Sequence, residues 1–298
     1  MASRPMQNIS AYEESTPMLE DPDELRRAAG ERGYLFFRKL IPAADVLGLR
    51  REALQVTARH GFLRQGSDLM DGIVRDGANL SENDYEPEFI CYYRDLLRIR
   101  ALYVLSHSEH VLRIIRQLVD SPILIHPRHL YHPMFPGRPD HTTHPHQDFG
   151  PVRGTPDTWT VWIPLGDCPA DLGGGLALVP GSHSGPLLKD GQESLEDDSD
   201  LLNEWAWGQT ATGDVLMFHG MTIHQAKDNE TNDHVRIATS FRYQAASDPV
   251  DEHSMKPHMR WMEWDDIYDT WGQDDPLKYY WSSLDLDVKP HWKTASAP

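Results

Sequence analysis

The residues best suited to chemistry lie between positions 141 and 150, where His146-Gln147-Asp148 places an imidazole and a carboxylate two residues apart. On a β-strand, residues i and i+2 point to the same face, so we expect both side chains to reach one point. Two histidines and one carboxylate on one face are the usual ligands of non-haem Fe(II). His146 is the only one of 16 histidines with Asp at +2, but so short a triplet also arises by chance. A third ligand is therefore required.

The third ligand should come from a later strand that lies beside the first. The candidates are His183, His219, His224 and His234. Twelve residues after His224, Arg236 begins an apolar strand.

Charge and composition exclude several classes of partner. The net charge is −18 and the pI is about 5.2, which disfavours binding to nucleic acid and to anionic membranes. Cys91 and Cys168 form no paired motif, which indicates a reducing compartment. We find no basic and apolar leader and no run of 18 apolar residues. We therefore expect a cytoplasmic protein that acts on a small molecule, and the sequence leaves its oligomeric state open.

The pattern of apolar residues and turns predicts helices first and strands afterwards. Helices are expected over 23–30, 43–58 and, as two segments broken near 106–108, over 87–120. Strands are expected over 33–37, 123–134, 158–165, 176–179, 214–218 and 235–243. Short strands separated by Gly and Pro turns, without helices between them, indicate an antiparallel sandwich or jelly roll.

We expect one domain of 298 residues with four parts. These are a flexible N-terminus over 1–21, mainly helical support over 22–120, a jelly-roll core over 121–245 and a Trp-rich extension over 246–298. The tryptophans of the extension are expected to dock it on the body. A dense acidic segment over 189–204 is expected to be a solvated loop, with a lid over the site as the alternative.

An ordered set of short motifs, none specific alone, runs through the chain. The set is Gly33-Tyr34-Leu35-Phe36-Phe37, Leu40-Ile41-Pro42, His146-Gln147-Asp148, Trp162 in its strand, Gly174-Gly175-Leu176, Pro180-Gly181-Ser182-His183, Gly213-Asp214-Val215, His224, Asn229 and Arg236. In this order and spacing, over about residues 30–245, the chain resembles the phytanoyl-CoA dioxygenase family of Fe(II)/2-oxoglutarate oxygenases.

The resemblance implies a double-stranded β-helix, which is a jelly roll, wrapped by N-terminal helices. His146, Asp148 and His224 match the family's metal ligands, and Arg236 matches the arginine that pairs with the far carboxylate of 2-oxoglutarate. A guanidinium suits that role, because it offers a planar, two-pronged match to a carboxylate that Lys cannot reproduce. The alternative for Arg236 is an ordinary surface salt bridge, which its apolar strand setting disfavours. Trp162 matches a position near the co-substrate, and Thr160, on the same face, could donate its hydroxyl to 2-oxoglutarate. Core packing of their strand is the alternative for both residues.

The activity implied is a dioxygenase that uses Fe(II), 2-oxoglutarate and O2, releases succinate and CO2, and most simply hydroxylates its substrate. Related halogenases replace the carboxylate ligand with a small residue, so Asp148 disfavours halogenation. We see no Lys/Arg cluster to meet the phosphates of an acyl-CoA. Two alternatives remain: a jelly-roll isomerase or hydrolase that uses a metal without 2-oxoglutarate, and a catalytically silent binding protein. Desaturation, epoxidation and ring formation also stay open.

Overall fold

Two β-sheets lie face to face beside a layer of helices. The computed structural model describes residues 6, 8–78, 80, 86–119, 122–137, 143–188 and 204–291. Its strands are β1 (Ile9–Ser10), β2 (Tyr34–Phe37), β3 (Ile123–Ile125), β4 (Leu130–Met134), β5 (Trp159–Pro164), β6 (Ala177–Leu178), β7 (Trp205–Ala206), β8 (Val215–His219), β9 (His224–Gln225), β10 (Arg236–Ala245), β11 (Val250–Asp251) and β12 (Val288–Lys289). Its α-helices are α1 (Pro22–Arg32), α2 (Ala43–Arg59), α3 (Pro87–Leu97), α4 (Arg100–Ser106), α5 (Glu109–Leu118), α6 (Phe149–Val152) and α7 (Trp264–Tyr268).

The larger sheet is built around β10. Its order is β2-β8-β5-β10-β3, and β4 pairs with β10 on the same side as β3. All of these pairings are antiparallel. The predicted strand over 123–134 is therefore two strands, and both use β10 as their partner.

Alternate residues of β10 face the smaller sheet, whose order is β1-β7-β6-β9. These residues are Arg236, Ala238, Ser240 and Arg242, and all four line one cavity. In register beside them, Ser240 lies opposite Trp162 and Arg242 lies opposite Thr160 on β5. Leu178 and Ala206 of the smaller sheet pack against Trp162 and its neighbours, so the two sheets are in contact beside the cavity.

The helices cover the outer face of the larger sheet. In α5 the buried residues Val111, Leu112, Ile114 and Ile115 follow helical spacing and alternate with the exposed Arg113. Burial of each large apolar side chain contributes roughly 1.5–3 kcal/mol before entropy is subtracted. The region predicted as two helices over 87–120 contains three, namely α3, α4 and α5.

The N-terminal segment is ordered from residue 8, so the expected flexible N-terminus is wrong over 8–21. Tyr12 is buried, its ring lies 4.7 Å from that of Phe36, and its hydroxyl donates to the carbonyl of Leu176. β1 adds to β7, and β2 joins β8. Both sheets thus take strands from before residue 121, where mainly helical support was expected.

The C-terminal extension docks on the helical layer through Trp271, as predicted for its tryptophans. The indole N–H of Trp271 donates to the carbonyl of Arg98, and its ring lies 4.9 Å from that of Tyr103. Trp264 donates to the carbonyl of Met255 and packs against Trp281. Residues 189–203 and Trp292 lie outside the described residues. Within the described residues, no helix combines the length and apolar character needed to cross a bilayer.

Candidate metal centre and its cavity

His146 and His224 lie directly opposite each other in an isolated antiparallel bridge. The amide of each donates to the carbonyl of the other, at 3.0 Å and 2.9 Å. Residues paired in this way project their side chains to the same face, and the two ring centroids are 4.2 Å apart. The structure therefore brings together His146 of the His-Gln-Asp triplet and His224, one of the four candidates for the third ligand.

Backbone carbonyls fix the tautomer of both imidazoles. Nδ1 of His146 lies 2.8 Å from the carbonyl oxygen of His144, and Nδ1 of His224 lies 3.0 Å from that of Thr222. A carbonyl oxygen can only accept, so each Nδ1 carries the hydrogen and each Nε2 keeps a free lone pair. This is the arrangement that histidine ligands of metals require.

Asp148 reaches the same point by a different route from the one expected. Its dihedral angles, φ −59° and ψ −31°, are helical, and it precedes α6. The prediction that His146 and Asp148 share a strand face is therefore wrong in its geometry. The chain turns after His146 because the amide of Phe149 bonds to the carbonyl of Gly220, and this turn directs the carboxylate back to the histidines. Ligand atoms of His146, Asp148 and His224 all lie within 4.8 Å of one another.

A buried arginine that the sequence did not single out holds the carboxylate. Nη2 and Nε of Arg242 donate to Oδ1 and Oδ2 of Asp148 at 2.9 Å and 3.2 Å. The hydroxyl of Thr160 donates to Oδ2 at 2.5 Å. Burial alone would raise the pKa of Asp148, but the charge of Arg242 and its hydrogen bonds hold the pKa well below its usual value. Asp148 is therefore ionised and fixed in direction.

His224 is neutral for a related reason. Burial, together with repulsion from the neighbouring His146, lowers the pKa of His224 to about 3. A neutral imidazole with a free Nε2 is the form that binds a metal. The two histidines and one carboxylate thus offer the donor set that a divalent ion takes from two imidazoles and one carboxylate.

A second group of possible ligands, Asp251, His253 and His291, fits a metal less well. Nδ1 of His291 already lies 3.0 Å from both oxygens of Asp251, and Nε2 of His253 lies 2.8 Å from the guanidinium of Arg260. Hydrogen bonds therefore occupy the atoms that would bind the ion, and a cation stands beside them. In the group of His146, Asp148 and His224, by contrast, no hydrogen bond occupies the Nε2 atoms of the two histidines within the described residues.

The first group opens into a cavity of about 250 Å³ between the two sheets. Arg236 lines this cavity and donates to the carbonyls of Gly174, Lys227 and Asp228. Carbonyls satisfy its N–H groups but leave its positive charge without a carboxylate partner among the described residues. Arg236 and the three possible ligands thus face the same enclosed space.

The other predicted residues divide between cavity and scaffold. Trp162 and Thr160 both line the cavity. The single hydroxyl hydrogen of Thr160 already goes to Asp148, so a bond to 2-oxoglutarate would have to replace this one. His183 bonds to the carbonyl of Gly30, and His219 faces Asp157, so both lie away from the cavity.

Comparison with known proteins gives the family. The model of the phytanoyl-CoA dioxygenase (PhyH) family matches residues 30–238, which is more than half of the chain. The chain belongs to the phytanoyl-CoA dioxygenase family. Membership confirms the predicted class of this PhyH protein, an Fe(II)- and 2-oxoglutarate-dependent dioxygenase. A curated relative is the 1-deoxypentalenic acid 11-beta-hydroxylase of Streptomyces arenae, which is 26% identical over 258 residues, 80% of this chain and 87% of the relative.

Solved structures share the fold of this PhyH protein. The epimerase SnoN from nogalamycin biosynthesis, solved with Fe3+, alpha ketoglutarate and nogalamycin RO, has a TM-score of 0.56 at 20% identity, covering 78% of this chain and 86% of its own. EctD from S. alaskensis with bound Fe has a TM-score of 0.55 at 18% identity, covering 84% and 87%. These similarities confirm the predicted jelly roll flanked by helices.

Proposed function

We propose that His146, Asp148 and His224 hold Fe(II), that Arg236 binds the far carboxylate of 2-oxoglutarate, and that the enzyme hydroxylates a small molecule. The observation that carries this proposal is the shared cavity: the only carboxylate among its described lining residues lies beside two histidines, and Arg236 faces the same space. Iron bound at this position supplies the activation of O2, which couples conversion of 2-oxoglutarate to succinate and CO2 with oxidation of the substrate.

The protein's own contribution is to hold and shield the reacting groups. Arg242 and Thr160 fix the direction of the Asp148 carboxylate, and backbone carbonyls fix both imidazoles. A group with a planar pair of N–H donors, such as Arg236, suits one end of a dicarboxylate. Trp162, which we propose to lie beside the co-substrate, belongs to the apolar part of the wall that keeps water from this end.

The substrate is proposed to be small because the cavity is enclosed by the two sheets. The relative from Streptomyces arenae is a hydroxylase of 1-deoxypentalenic acid, and SnoN was solved in complex with nogalamycin RO, and both of these are small molecules. Asp148 occupies the position that a halide would need, so we favour hydroxylation over halogenation. An acyl-CoA is disfavoured because, within the described residues, the arginines that line the cavity lie inside it rather than at a surface cluster.

Formation of succinate tests the proposal against the two alternatives. The purified protein with Fe(II), O2 and 2-oxoglutarate should produce succinate, and omission of any one should stop it. A jelly-roll metal enzyme that does not use 2-oxoglutarate, or a silent binding protein, would form none. Absence of succinate at every tested substrate, together with absence of 2-oxoglutarate binding, would overturn the proposed function.

A further inference from the structure

Three arginines and one acid line the cavity within the described residues. The arginines are Arg128, Arg236 and Arg242, and the acid is Asp148. Arg242 is paired with Asp148, and Arg236 is assigned above to the co-substrate. Arg128 has no such assignment, although it stands in the same enclosed space.

Arg128 is a largely buried cation without a partner in the described part of the chain. Its Nε is buried and makes no hydrogen bond, and none of its nitrogens lies within ion-pair distance of a described acid. Burial, together with repulsion from Arg242, lowers the pKa of Arg128 to about 10. The guanidinium therefore stays charged at neutral pH while its surroundings disfavour the charge.

The two nearby histidines, His132 and His258, do not compensate the positive charge of Arg128. Burial lowers the pKa of His132 to about 4, and it lowers the pKa of His258 well below its usual value, so both are neutral. His132 bonds to Ser240, and His258 bonds to the hydroxyl of Tyr93. They add no negative charge that could compensate Arg128. Asp251, a more distant acid, is engaged with His291.

The rest of the wall is largely apolar. Its apolar members include Leu80, Leu130, Phe135, Val152 and Leu176. A buried cation that lacks a partner destabilises the fold, and an anion that enters the cavity removes that cost. With Arg236 assigned to the co-substrate, the cavity therefore combines one further unmatched positive charge, that of Arg128, with an apolar surface.

We propose that Arg128 binds the acid group of the primary substrate, which is a small molecule with an apolar body and a carboxylate. This inference deepens the proposed function and rests on it only for the reaction, since binding of the acid depends on the cavity alone. Arg128 would anchor one end of the substrate and so determine which carbon lies next to the metal centre. It is a specificity-determining residue in this account.

The co-substrate does not account for Arg128. Arg236 and Arg242 are six residues apart on β10, which corresponds to about 20 Å between their backbone positions at about 3.4 Å per residue. The residues that flank Arg128 pair with the Arg242 end of β10, since the amide of His126 donates to the carbonyl of Arg242 and Leu130 lies opposite Ser240. The arginine assigned to 2-oxoglutarate lies at the opposite end.

The test uses two probes that differ only in charge, octanoate and octanamide. Calorimetric titration is done on the full chain with Fe(II) and 2-oxoglutarate, without O2. A hydrogen-bonded charge pair is worth roughly 10- to 100-fold in affinity, so octanoate should bind more tightly than octanamide by about that factor. Arg128→Gln should remove the preference and leave the affinity for 2-oxoglutarate unchanged. Equal binding of both probes to the wild type would overturn the inference.

Two control variants separate this inference from the proposed function. Arg236→Gln, titrated without iron or 2-oxoglutarate, should keep the preference for octanoate over octanamide. If this variant loses the preference, the octanoate carboxylate binds at the co-substrate position and not at Arg128. If the wild type fails to bind 2-oxoglutarate but the unloaded protein still prefers octanoate through Arg128, the proposed function fails and this inference stands. A weakened affinity for 2-oxoglutarate in Arg128→Gln would contradict it.

Thermal stability gives an independent readout. Since Arg128 has no partner in the described part of the chain, Arg128→Gln should leave the Tm of the ligand-free protein unchanged or raise it. Arg50 is the matched control, because it is also largely buried but donates to the carbonyls of Met70 and Leu165. Arg50→Gln should lower the Tm and keep the preference for octanoate. A large fall in Tm for Arg128→Gln would contradict the inference.

Discussion

Replacement of Arg242 by Gln should destabilise the protein in a way that depends on pH. The guanidinium makes two hydrogen bonds to Asp148, and both side chains are almost completely buried. Breaking a buried ion pair by removing one partner costs about 3–5 kcal/mol, because the other charge stays behind. We therefore expect the metal-free Arg242→Gln variant to lose about that much free energy of unfolding at about pH 7.

The sign of the pH dependence follows from Asp148. Its pKa in the folded wild type is depressed, so its contribution to stability is present above the unfolded carboxyl pKa of about 3.9 and is lost only as pH falls through the folded pKa. Without Arg242, burial raises the pKa of Asp148 instead. Protonation of Asp148 then raises the free energy of unfolding of the variant as pH falls towards about 5, by about 1.4 kcal/mol for each pH unit below the raised pKa.

Urea denaturation of the metal-free wild type and variant at about pH 7 and about pH 5 measures how the loss of unfolding free energy depends on pH. The loss caused by Arg242→Gln should be smaller at the lower pH. Arg50→Gln is the control, since Arg50 donates to carbonyls and its loss should not vary between these pH values. An Arg242→Gln deficit that is equal at both pH values would refute the claim that an unpaired Asp148 carboxylate causes the loss.

Two further predictions concern the support of the site and of the fold. Thr160→Val keeps the shape of the side chain but removes the hydrogen bond to Asp148, so Fe(II) affinity should fall about 10-fold while the Tm changes little; unchanged affinity would show that the bond does not orient the ligand. Trp271→Ala removes the packing against Tyr103 and the bond to Arg98, so unfolding free energy should fall by about 3–5 kcal/mol with Fe(II) binding intact; a loss below about 1 kcal/mol would show that the extension is not docked.

The local part of the site could be predicted from sequence, and the three-dimensional part could not. His146 and Asp148 are close in the chain, so their spacing alone suggested a shared ligand set. The reason for their convergence was wrong, because a turn before α6 replaces the expected strand. The fold followed from strand patterning, but the ordered segment over 8–21 did not, since its order depends on Tyr12 meeting Phe36 and Leu176.

The sequence already places Arg242 on the same strand face as Arg236. Residues 236, 238, 240 and 242 alternate along one predicted strand, so a face shared with Arg236 was readable. Its contact with Asp148 was not readable, because it depends on the register of β10 against β5. Arg128 gave no signal, since it lies between β3 and β4 and its place in the cavity depends on how both strands meet β10.

The most direct test of the central claim compares two variants in two binding measurements. Anaerobic titrations of Fe(II) and of 2-oxoglutarate are made on Asp148→Ala and Arg236→Gln. Asp148→Ala should lose Fe(II) affinity, as should His224→Ala. Arg236→Gln should keep Fe(II) affinity near normal while its half-saturating 2-oxoglutarate concentration rises about 10- to 100-fold. Wild-type binding of Fe(II) by Asp148→Ala, or an unchanged 2-oxoglutarate dependence in Arg236→Gln, would contradict the assignment of these residues.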